Sequence, residues 1–238
     1  MRSWISILTF LSTSLLATAG PVPALSIRCS NTTSTNTTTG LTTQRLLTIS
    51  PNSASCDNAP APGECSTAAQ AVPFITKSFV TYNVTSLAEQ AALISLMAFE
   101  SGDFKYNRNH FPPPGRPGQG TRNMQSPTYN QQYAASIPAL ASQYRSVSGN
   151  VSAVLDLLLS DETYDFGSAA WFLTSQCTPA VRAALQSGSE AGWEGYITSC
   201  VGTTVTDDRK AYWTRAVQAL GVKSQAPTKK MKMKTRKW

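Results

Sequence analysis

The 238-residue sequence contains very little histidine and none of the common metal-binding spacings. His110 is the single histidine, and neither a CxxC nor an HExxH pattern is present. Zinc sites and metalloproteases need several closely spaced His or Cys ligands, so we expect no metal site and no other cofactor. The sequence also lacks the GxSxG motif that is usual in Ser-His-Asp hydrolases, which disfavours that class.

After the first twenty residues, the sequence has no apolar run long enough to cross a bilayer. Residues 1–20 have the pattern of a secretory signal peptide, with Arg2, an apolar stretch and small residues before a cleavage site. We therefore expect a secreted, extracellular protein with no transmembrane segment. Glycosylation sequons fit this route, and they lie at Asn83 and Asn150, with weaker support from Asn31 and Asn36.

The sequence has five cysteines, which an oxidising compartment would pair as disulfides with one left over. We expect Cys56 to pair with Cys65 and Cys177 with Cys200, since each pair lies within one region of the chain. Cys29 is then free, intermolecular or removed with a pro-segment.

The formal net charge of +7 is concentrated at the C-terminus. Residues 223–238 contain seven Lys or Arg and no acid, whereas the rest of the chain has thirteen bases and thirteen acids. We interpret this segment as a disordered basic tail, or else as an electrostatic tether to an anionic wall or membrane. A nucleic-acid partner is not expected, because a secreted, glycosylated chain would meet none.

The pattern of apolar residues predicts one helical domain and very little β-structure. Residues 21–55 are rich in Ser and Thr and are predicted to form a low-complexity segment, and residues 56–222 the domain, most simply a monomer. The expected class is α-rich (α+β), with a small irregular or β-hairpin insert in residues 104–125. The predicted helices cover residues 67–82, 86–101, 127–145, 151–159, 166–175, 179–187, 190–200 and 207–220.

Glu100 is the most unusual residue of the domain, because it is a carboxylate at the end of a very apolar helix. That helix is predicted to begin with a capping box formed by Ser86 and Glu89. Glu100 follows Leu96 by four residues and so continues the buried stripe. Burial and the negative end of the helix dipole both favour a protonated carboxyl, which suits a general acid.

The loop after Glu100 has the composition of a binding segment. Residues 104–125 combine turn-forming residues with aromatics, amides and cations, which is typical of loops that bind a ligand. A second carboxylate for sugar chemistry could be Asp103, although Asp103 could equally end the helix as a turn residue. Asp161 and Asp165 are alternatives. Aromatic side chains that could stack on sugar rings or belong to the core are Tyr106, Phe111, Tyr129 and Tyr133.

Two short motifs resemble those of known carbohydrate-active families. Glu100-Ser101, followed by Gly120 and then Met124-Gln125, resembles the Glu-Ser and Gly-Leu-Met-Gln pattern of goose-type lysozymes and lytic transglycosylases. Residues 168–176 resemble an aromatic helix of family 19 chitinases. The resemblance implies a lysozyme-like fold, with Glu100 as general acid and with Asn123 and Gln125 in the sugar site.

The sequence departs from the family pattern in ways that affect the mechanism. Asn123 stands where the bacterial pattern has Leu, and no chitinase-like second Glu can be placed. Without a second carboxylate, a lytic or substrate-assisted reaction is favoured over simple inversion. The cations Lys105, Arg108, Arg116 and Arg122 should repel a cationic polymer and so favour neutral chitin or anionic peptidoglycan.

These observations predict a secreted glycosidase that cleaves a β-1,4-linked N-acetylhexosamine polymer of a cell wall. The polysaccharide is its predicted partner. The alternative is a non-catalytic carbohydrate-binding protein or effector with the same fold.

Overall fold

A computed structural model describes residues 40–224. The predicted signal peptide, Cys29, the sequons at Asn31 and Asn36 and residues 225–238 of the basic tail lie outside the described residues. The described part is built almost entirely from helices, which confirms the predicted α-rich class. Its β-structure consists of two isolated antiparallel bridges, which pair Gly120 with Arg108 and with Gln125, so the insert expected to be irregular or a β-hairpin is of the irregular kind.

Ten α-helices follow one another along residues 40–224, together with three short segments of other helical types. The α-helices are α1 (Thr43–Ile49), α2 (Ala68–Thr81), α3 (Leu87–Glu100), α4 (Pro127–Ser136), α5 (Ala141–Val147), α6 (Val151–Leu159), α7 (Glu162–Gln176), α8 (Pro179–Gln186), α9 (Glu190–Tyr196) and α10 (Asp207–Leu220). The short segments are 3₁₀-helices at Pro51–Ala54 and Pro138–Leu140 and a π-helix at Ile197–Val201.

Helix α3 occupies the centre of the core. Every residue from Ala88 to Ala98 is buried, and the helix packs against α7, α8 and α10. This agrees with the sequence, which leaves α3 almost no polar face. The central helix therefore carries Glu100 at its last position, where the core meets the following loop.

The start of α3 differs from the prediction. Ser86 makes no side-chain capping hydrogen bond, and the Glu89 carboxylate is buried and paired with Arg182 at 2.8 Å. The predicted capping box is therefore wrong, because Glu89 serves a long-range ion pair. A capping box is present instead at the start of α2, between Thr67 and Gln70.

Two other predicted helices have different bounds. The helix predicted over residues 127–145 is interrupted at Ile137, which is extended because Pro138 follows it. Helix α7 begins four residues earlier than predicted, because the Asp161 carboxylate caps it by accepting a hydrogen bond from the Thr163 backbone N–H at 2.7 Å.

The folded region also begins earlier than predicted. Residues 43–49, which we expected to lie in a low-complexity segment, form α1 and pack against α10. Leu46 and Ile49 are completely buried, and Arg215 of α10 donates a hydrogen bond to the Ile49 carbonyl at 2.8 Å. The Ser/Thr-rich composition concealed this short helix, since only a few apolar side chains anchor it.

Both predicted disulfides are confirmed. Cys56 is bonded to Cys65, and Cys177, just after α7, is bonded to Cys200 in the π-helical segment. Such bonds fit a protein that folds in an oxidising compartment. The first closes the loop of residues 56–65, and the second joins the end of α7 to the π-helical segment across α8 and α9.

Two further features of the described residues concern membrane spanning and glycosylation. Within residues 40–224, no helix combines the length and apolar character needed to span a bilayer. Asn83 lies exposed in the turn after α2, and Asn150 lies exposed before α6. Both sequons are therefore accessible, and their glycosylation stays a prediction.

Replacing Leu46 with Ala should lower the free energy of unfolding by about 2–5 kcal/mol, since it leaves a cavity between α1 and α10. Gln44→Ala, on the exposed face of α1, is the matched control and should change it by less than about 0.5 kcal/mol. Urea denaturation measures both. Equal effects would mean that α1 is not part of the cooperative core.

Candidate functional site

Two adjoining cavities share one wall at the end of α3. The first has a volume of about 270 Å³ and lies beside α7 and the segment before α10. The second has a volume of about 200 Å³ and lies beside residues 106–111. Glu100, Gln119 and Met124 line both cavities. We call the two cavities together the cleft, and Glu100 lies where they meet.

The structure brings five of the six predicted catalytic and sugar-binding residues to the cleft. Asn123, Gln125 and Tyr129 line the first cavity, and Tyr106 lines the second, on the other side of Glu100. The residues come from α3, from the following loop and from α4, so the tertiary structure gathers positions that span thirty residues of sequence.

Asp103 is the predicted site residue that does not reach the cleft. Its buried carboxylate accepts hydrogen bonds from Ser50 Oγ, from Asn52 Nδ2 at 2.8 Å and from the Tyr212 hydroxyl at 2.9 Å. Burial, followed by this hydrogen bond to Asp103, raises the pKa of Tyr212 to about 12, so Tyr212 remains a donor. Asp103 therefore joins the end of α3 to α10 and to the segment after α1.

The alternative carboxylates do not reach the cleft either. Asp161 caps α7, and Asp165 is buried beneath the loop. Among residues 40–224, Glu100 is the one carboxylate that lines either cavity. The site therefore lacks the pair of carboxylates found in most glycoside hydrolases.

The backbone beside Glu100 is strained. Gly102, Asp103 and Phe104 have φ values of 57°, 60° and 62°, so the chain makes a left-handed turn directly after α3. Thr121 and Met124, across the cleft, also have positive φ values. Left-handed conformations at non-glycine residues cost about 1–3 kcal/mol each and persist only where surrounding contacts impose them. Such strain is often concentrated at functional sites.

Buried contacts of the Arg122 side chain hold much of this loop in its conformation. Its side chain is 2% exposed, and its Nε lies 2.8 Å from Asp165 Oδ2. Its Nη1 donates hydrogen bonds to the carbonyl oxygens of Glu64, Phe104 and Tyr106 at 2.8, 3.1 and 3.3 Å. One buried guanidinium thus connects α7, the disulfide loop and the end of the turn.

Asp165 is the counterion of Arg122. Burial raises the pKa of Asp165 to about 6, while Arg122 and the Asn107 amide, which donates at 3.3 Å, act in the opposite direction. The carboxyl of Asp165 is therefore committed to the interior and is not exposed to a ligand.

A chain of amide side chains forms the floor of the first cavity. Asn123 accepts hydrogen bonds from Ser168 and Thr121 and donates to Gln125 at 3.3 Å. Gln125 donates to Asn130 at 2.7 Å, and Asn130 donates to the carbonyl of Gly118. These contacts fix the orientation of both amides that line the cleft. The side-chain nitrogens of Asn123 and Gln125 each have a second proton that a ligand could use.

Arg209 is a cleft residue that the sequence did not predict. It lies in the first turn of α10, and its Nη1 is 2.6 Å from Glu100 Oε1. Its guanidinium also lies over the Phe99 ring, 4.3 Å from the centroid. The Glu100 carboxylate therefore has an ion-pair partner, which the sequence did not indicate. The two residues are 109 positions apart in the sequence, so no local pattern indicated that they pair.

Ion pairs neutralise two of the four cations expected to give the loop its positive charge, Arg108 and Arg122. Arg122 is buried, Arg108 is paired with Asp156 at 2.7 Å, and Lys105 donates to the Ser55 carbonyl. Arg116 remains exposed. These four cations therefore favour a neutral or anionic polymer less strongly than the sequence indicated, because three of them have partners within the chain.

Glu64 lies in the loop closed by the Cys56–Cys65 disulfide, and no sequence pattern indicated that it contacts the cleft. Its Oε2 accepts hydrogen bonds from the backbone N–H groups of Asn107 and Arg108 at 3.0 and 3.2 Å. Its Oε1 lies 2.8 Å from Nε2 of His110, which lines the second cavity. Glu64 thus holds the strand-like start of the loop and its histidine.

Comparison with known proteins gives one match. The chain is 50% identical over 159 residues to a bifunctional dioxygenase (DOX)-epoxy alcohol synthase (EAS) from Fusarium oxysporum strain Fo5176. The match covers 64% of this chain but 12% of that protein, so the chain spans about one eighth of the relative's length. No family model matches the chain. No solved structure matches it either.

Replacing Asp165 with Asn should lower the free energy of unfolding by about 3–5 kcal/mol, because it leaves Arg122 buried without a counterion. Adding Arg122→Met should cost clearly less than the sum of the two single changes, since the two side chains interact directly. Urea denaturation of the parent, the two single variants and the double variant, which form a double-mutant cycle, measures the coupling between the two side chains.

Glu190→Gln is the control for that cycle. It breaks the exposed pair between Glu190 and Lys210 and should cost less than about 1 kcal/mol. Additive losses for Asp165 and Arg122 would show that the buried pair is not a unit.

Proposed function

We propose that this protein is a secreted glycosidase that cleaves a β-1,4-linked N-acetylhexosamine polymer, with Glu100 as the general acid. The observation that carries the proposal is the position of Glu100 at the junction of the two cavities, where it is the one lining carboxylate of the described residues. A polymer bound across both cavities would place a glycosidic bond beside this carboxyl group.

The walls of the cleft suit a sugar chain. Tyr106 and Tyr129 lie on opposite sides of Glu100 and offer apolar ring faces, while Asn123 and Gln125 offer oriented amide donors and acceptors. Tyr129 is held edge-on by Phe172, with 4.9 Å between ring centroids. Aromatic rings combined with fixed amides can contact both the faces and the acetamido groups of N-acetylated sugars.

The chemistry of the step follows from what Glu100 can do. A protonated Glu100 donates its proton to the glycosidic oxygen as the bond to the anomeric carbon breaks. Arg209 holds the Glu100 carboxyl in an ion pair, so a productive complex requires a bound sugar to separate the two side chains. Arg209 can then lie near the oxygen atoms of the substrate.

The substrate is proposed as chitin or peptidoglycan, and the location as the cell exterior. The disulfides, the accessible sequons at Asn83 and Asn150 and the signal-like residues 1–20 support secretion. A monomer is proposed as the simplest state. Three of the residues that resemble goose-type lysozymes, Glu100, Met124 and Gln125, line the cleft, which supports the proposed relationship to a lysozyme-like fold.

A second candidate function is a carbohydrate-binding protein or effector that does not cleave its ligand. The ion pair between Glu100 and Arg209 favours this alternative, because a permanently paired carboxylate cannot donate a proton. The cleft and its aromatic walls would then serve recognition alone.

The activities named for the Fusarium relative are not proposed for this chain. The shared part is 12% of that protein, and the name does not say which part carries either activity.

Glu100→Gln should abolish cleavage while retaining binding, because the amide preserves the shape of the cleft but cannot donate a carboxyl proton. Release of soluble oligomers from chitin and loss of turbidity of bacterial walls measure cleavage, and co-sedimentation with each polymer measures binding. Glu190→Gln, which lies outside the cleft, is the matched control and should leave both unchanged.

The outcomes separate the two functions. Cleavage by the parent that survives in Glu100→Gln would show that Glu100 is not the general acid. Binding by the parent without any product from either polymer would support the non-catalytic alternative.

A further inference from the structure

We propose that His110 is the second catalytic group of the cleft, a general base that activates water, and that Glu64 positions it. This inference rests on the proposed glycosidase function. It supplies the partner that Glu100 lacks among the carboxylates of the described residues.

Glu64 is held so firmly that it can orient an imidazole. Its Oε2 accepts the two backbone hydrogen bonds from Asn107 and Arg108, and its Oε1 faces His110 Nε2 at 2.8 Å. The carbonyl of Glu64 is held by Arg122, and the next residue is disulfide-bonded Cys65. Both carboxylate oxygens therefore have fixed partners, and the backbone of Glu64 is held on two sides.

This contact sets the tautomer of His110. A carboxylate accepts and does not donate, so Nε2 of the neutral ring carries the proton and Nδ1 carries the free lone pair. Among the described residues, Nδ1 has no hydrogen-bond partner. A carboxylate that takes the N–H of a histidine also stabilises the imidazolium that forms when the other nitrogen accepts a proton.

The ring is also held from its side. Tyr106 lies against it, with 5.3 Å between ring centroids and a tilt of 51°. Tyr106 is one of the proposed sugar-stacking residues. The imidazole therefore lies beside a surface that would carry a sugar ring.

His110 and Glu100 line the same cavity of about 200 Å³. A water molecule occupies about 30 Å³, so the cavity has room for water together with part of a sugar. His110 is partly exposed, with 38% of its side chain accessible, so solvent can replace the consumed water. Two proton-transferring groups thus face one space, and each is held by a charged partner, Arg209 for Glu100 and Glu64 for His110.

The proposed step is a direct displacement by water. Nδ1 of His110 takes a proton from water as the water oxygen bonds to the anomeric carbon, and the bond from that carbon to the glycosidic oxygen breaks. The glycosidic oxygen takes the proton of Glu100. One water is consumed, two hydroxyl ends are formed, and solvent returns the proton from the imidazolium to Glu100.

This step predicts the stereochemistry of the product. Water attacks the face opposite the leaving oxygen, so a β-linked polymer should first release the α-anomer. A substrate-assisted reaction would release the β-anomer, and a lytic reaction would release an anhydro sugar without consuming water. Proton NMR of the parent protein acting on soluble N-acetylglucosamine oligomers or peptidoglycan fragments distinguishes these outcomes. A β-anomer or an anhydro product would overturn the inference.

Variants of the pair test the assignment independently. His110→Gln should lower kcat by about 10²-fold or more, the usual contribution of general-base catalysis, with KM changed by less than about threefold. Glu64→Gln should lower kcat in the same direction but by less, because the amide keeps one contact and loses the negative charge. Glu190→Gln, which lies outside both cavities, should match the parent.

Added azide should restore turnover to His110→Ala, because azide attacks without a general base and gives a glycosyl azide of inverted configuration. Both variants should melt at the temperature of the parent. If His110→Gln loses activity and azide does not restore turnover to His110→Ala, the role of His110 is structural and the proposal is overturned. A kcat of His110→Gln within threefold of the parent would also overturn the proposal for His110.

The Glu100→Gln variant separates this inference from the proposed function. If His110→Gln is active and Glu100→Gln is inactive, the proposed function stands without this inference. If Glu100→Gln is active, the proposed function itself fails.

Discussion

The buried ion pair between Arg122 and Asp165 is the interaction on which the cleft depends. Arg122 and Asp165 are each 2% exposed at the side chain, so neither can exchange its partner for water. Arg122 Nη1 binds carbonyl groups of the disulfide loop and of the segment after α3. A loop of more than twenty residues with almost no regular structure is thereby fixed against α7.

The end of α3 and this loop constrain each other. The left-handed turn at residues 102–104 would relax if it were exposed, but Asp103 is bound by three donors and the Phe104 carbonyl accepts from Ser66 and Arg122. The turn directs the chain back across Glu100 and leaves its carboxyl at the surface of the core. The strain is thus compensated by contacts that also form the cleft.

The two acidic residues nearest the turn show how the environment separates similar groups. Asp103 is surrounded by hydroxyl and amide donors and acts as a structural anchor, whereas Glu100 faces two cavities and has one cation, Arg209, as its partner. A ligand in the cleft can therefore contact Glu100 directly. Asp103 cannot be reached in this way without breaking contacts that hold the fold together.

The sequence alone determined the helical class, the central buried helix, both disulfides and a cluster of site residues between Glu100 and Tyr129, because apolar periodicity, cysteine spacing and loop composition are local properties. It missed α1, whose few anchoring side chains are hidden by polar composition, and it assigned Asp103 to the site. Only the tertiary structure brought Arg209 to Glu100 and Glu64 to His110, across separations of 109 and 46 residues. Such pairs depend on how helices pack and loops return, and no local pattern of residues encodes which distant side chain will meet a given charge.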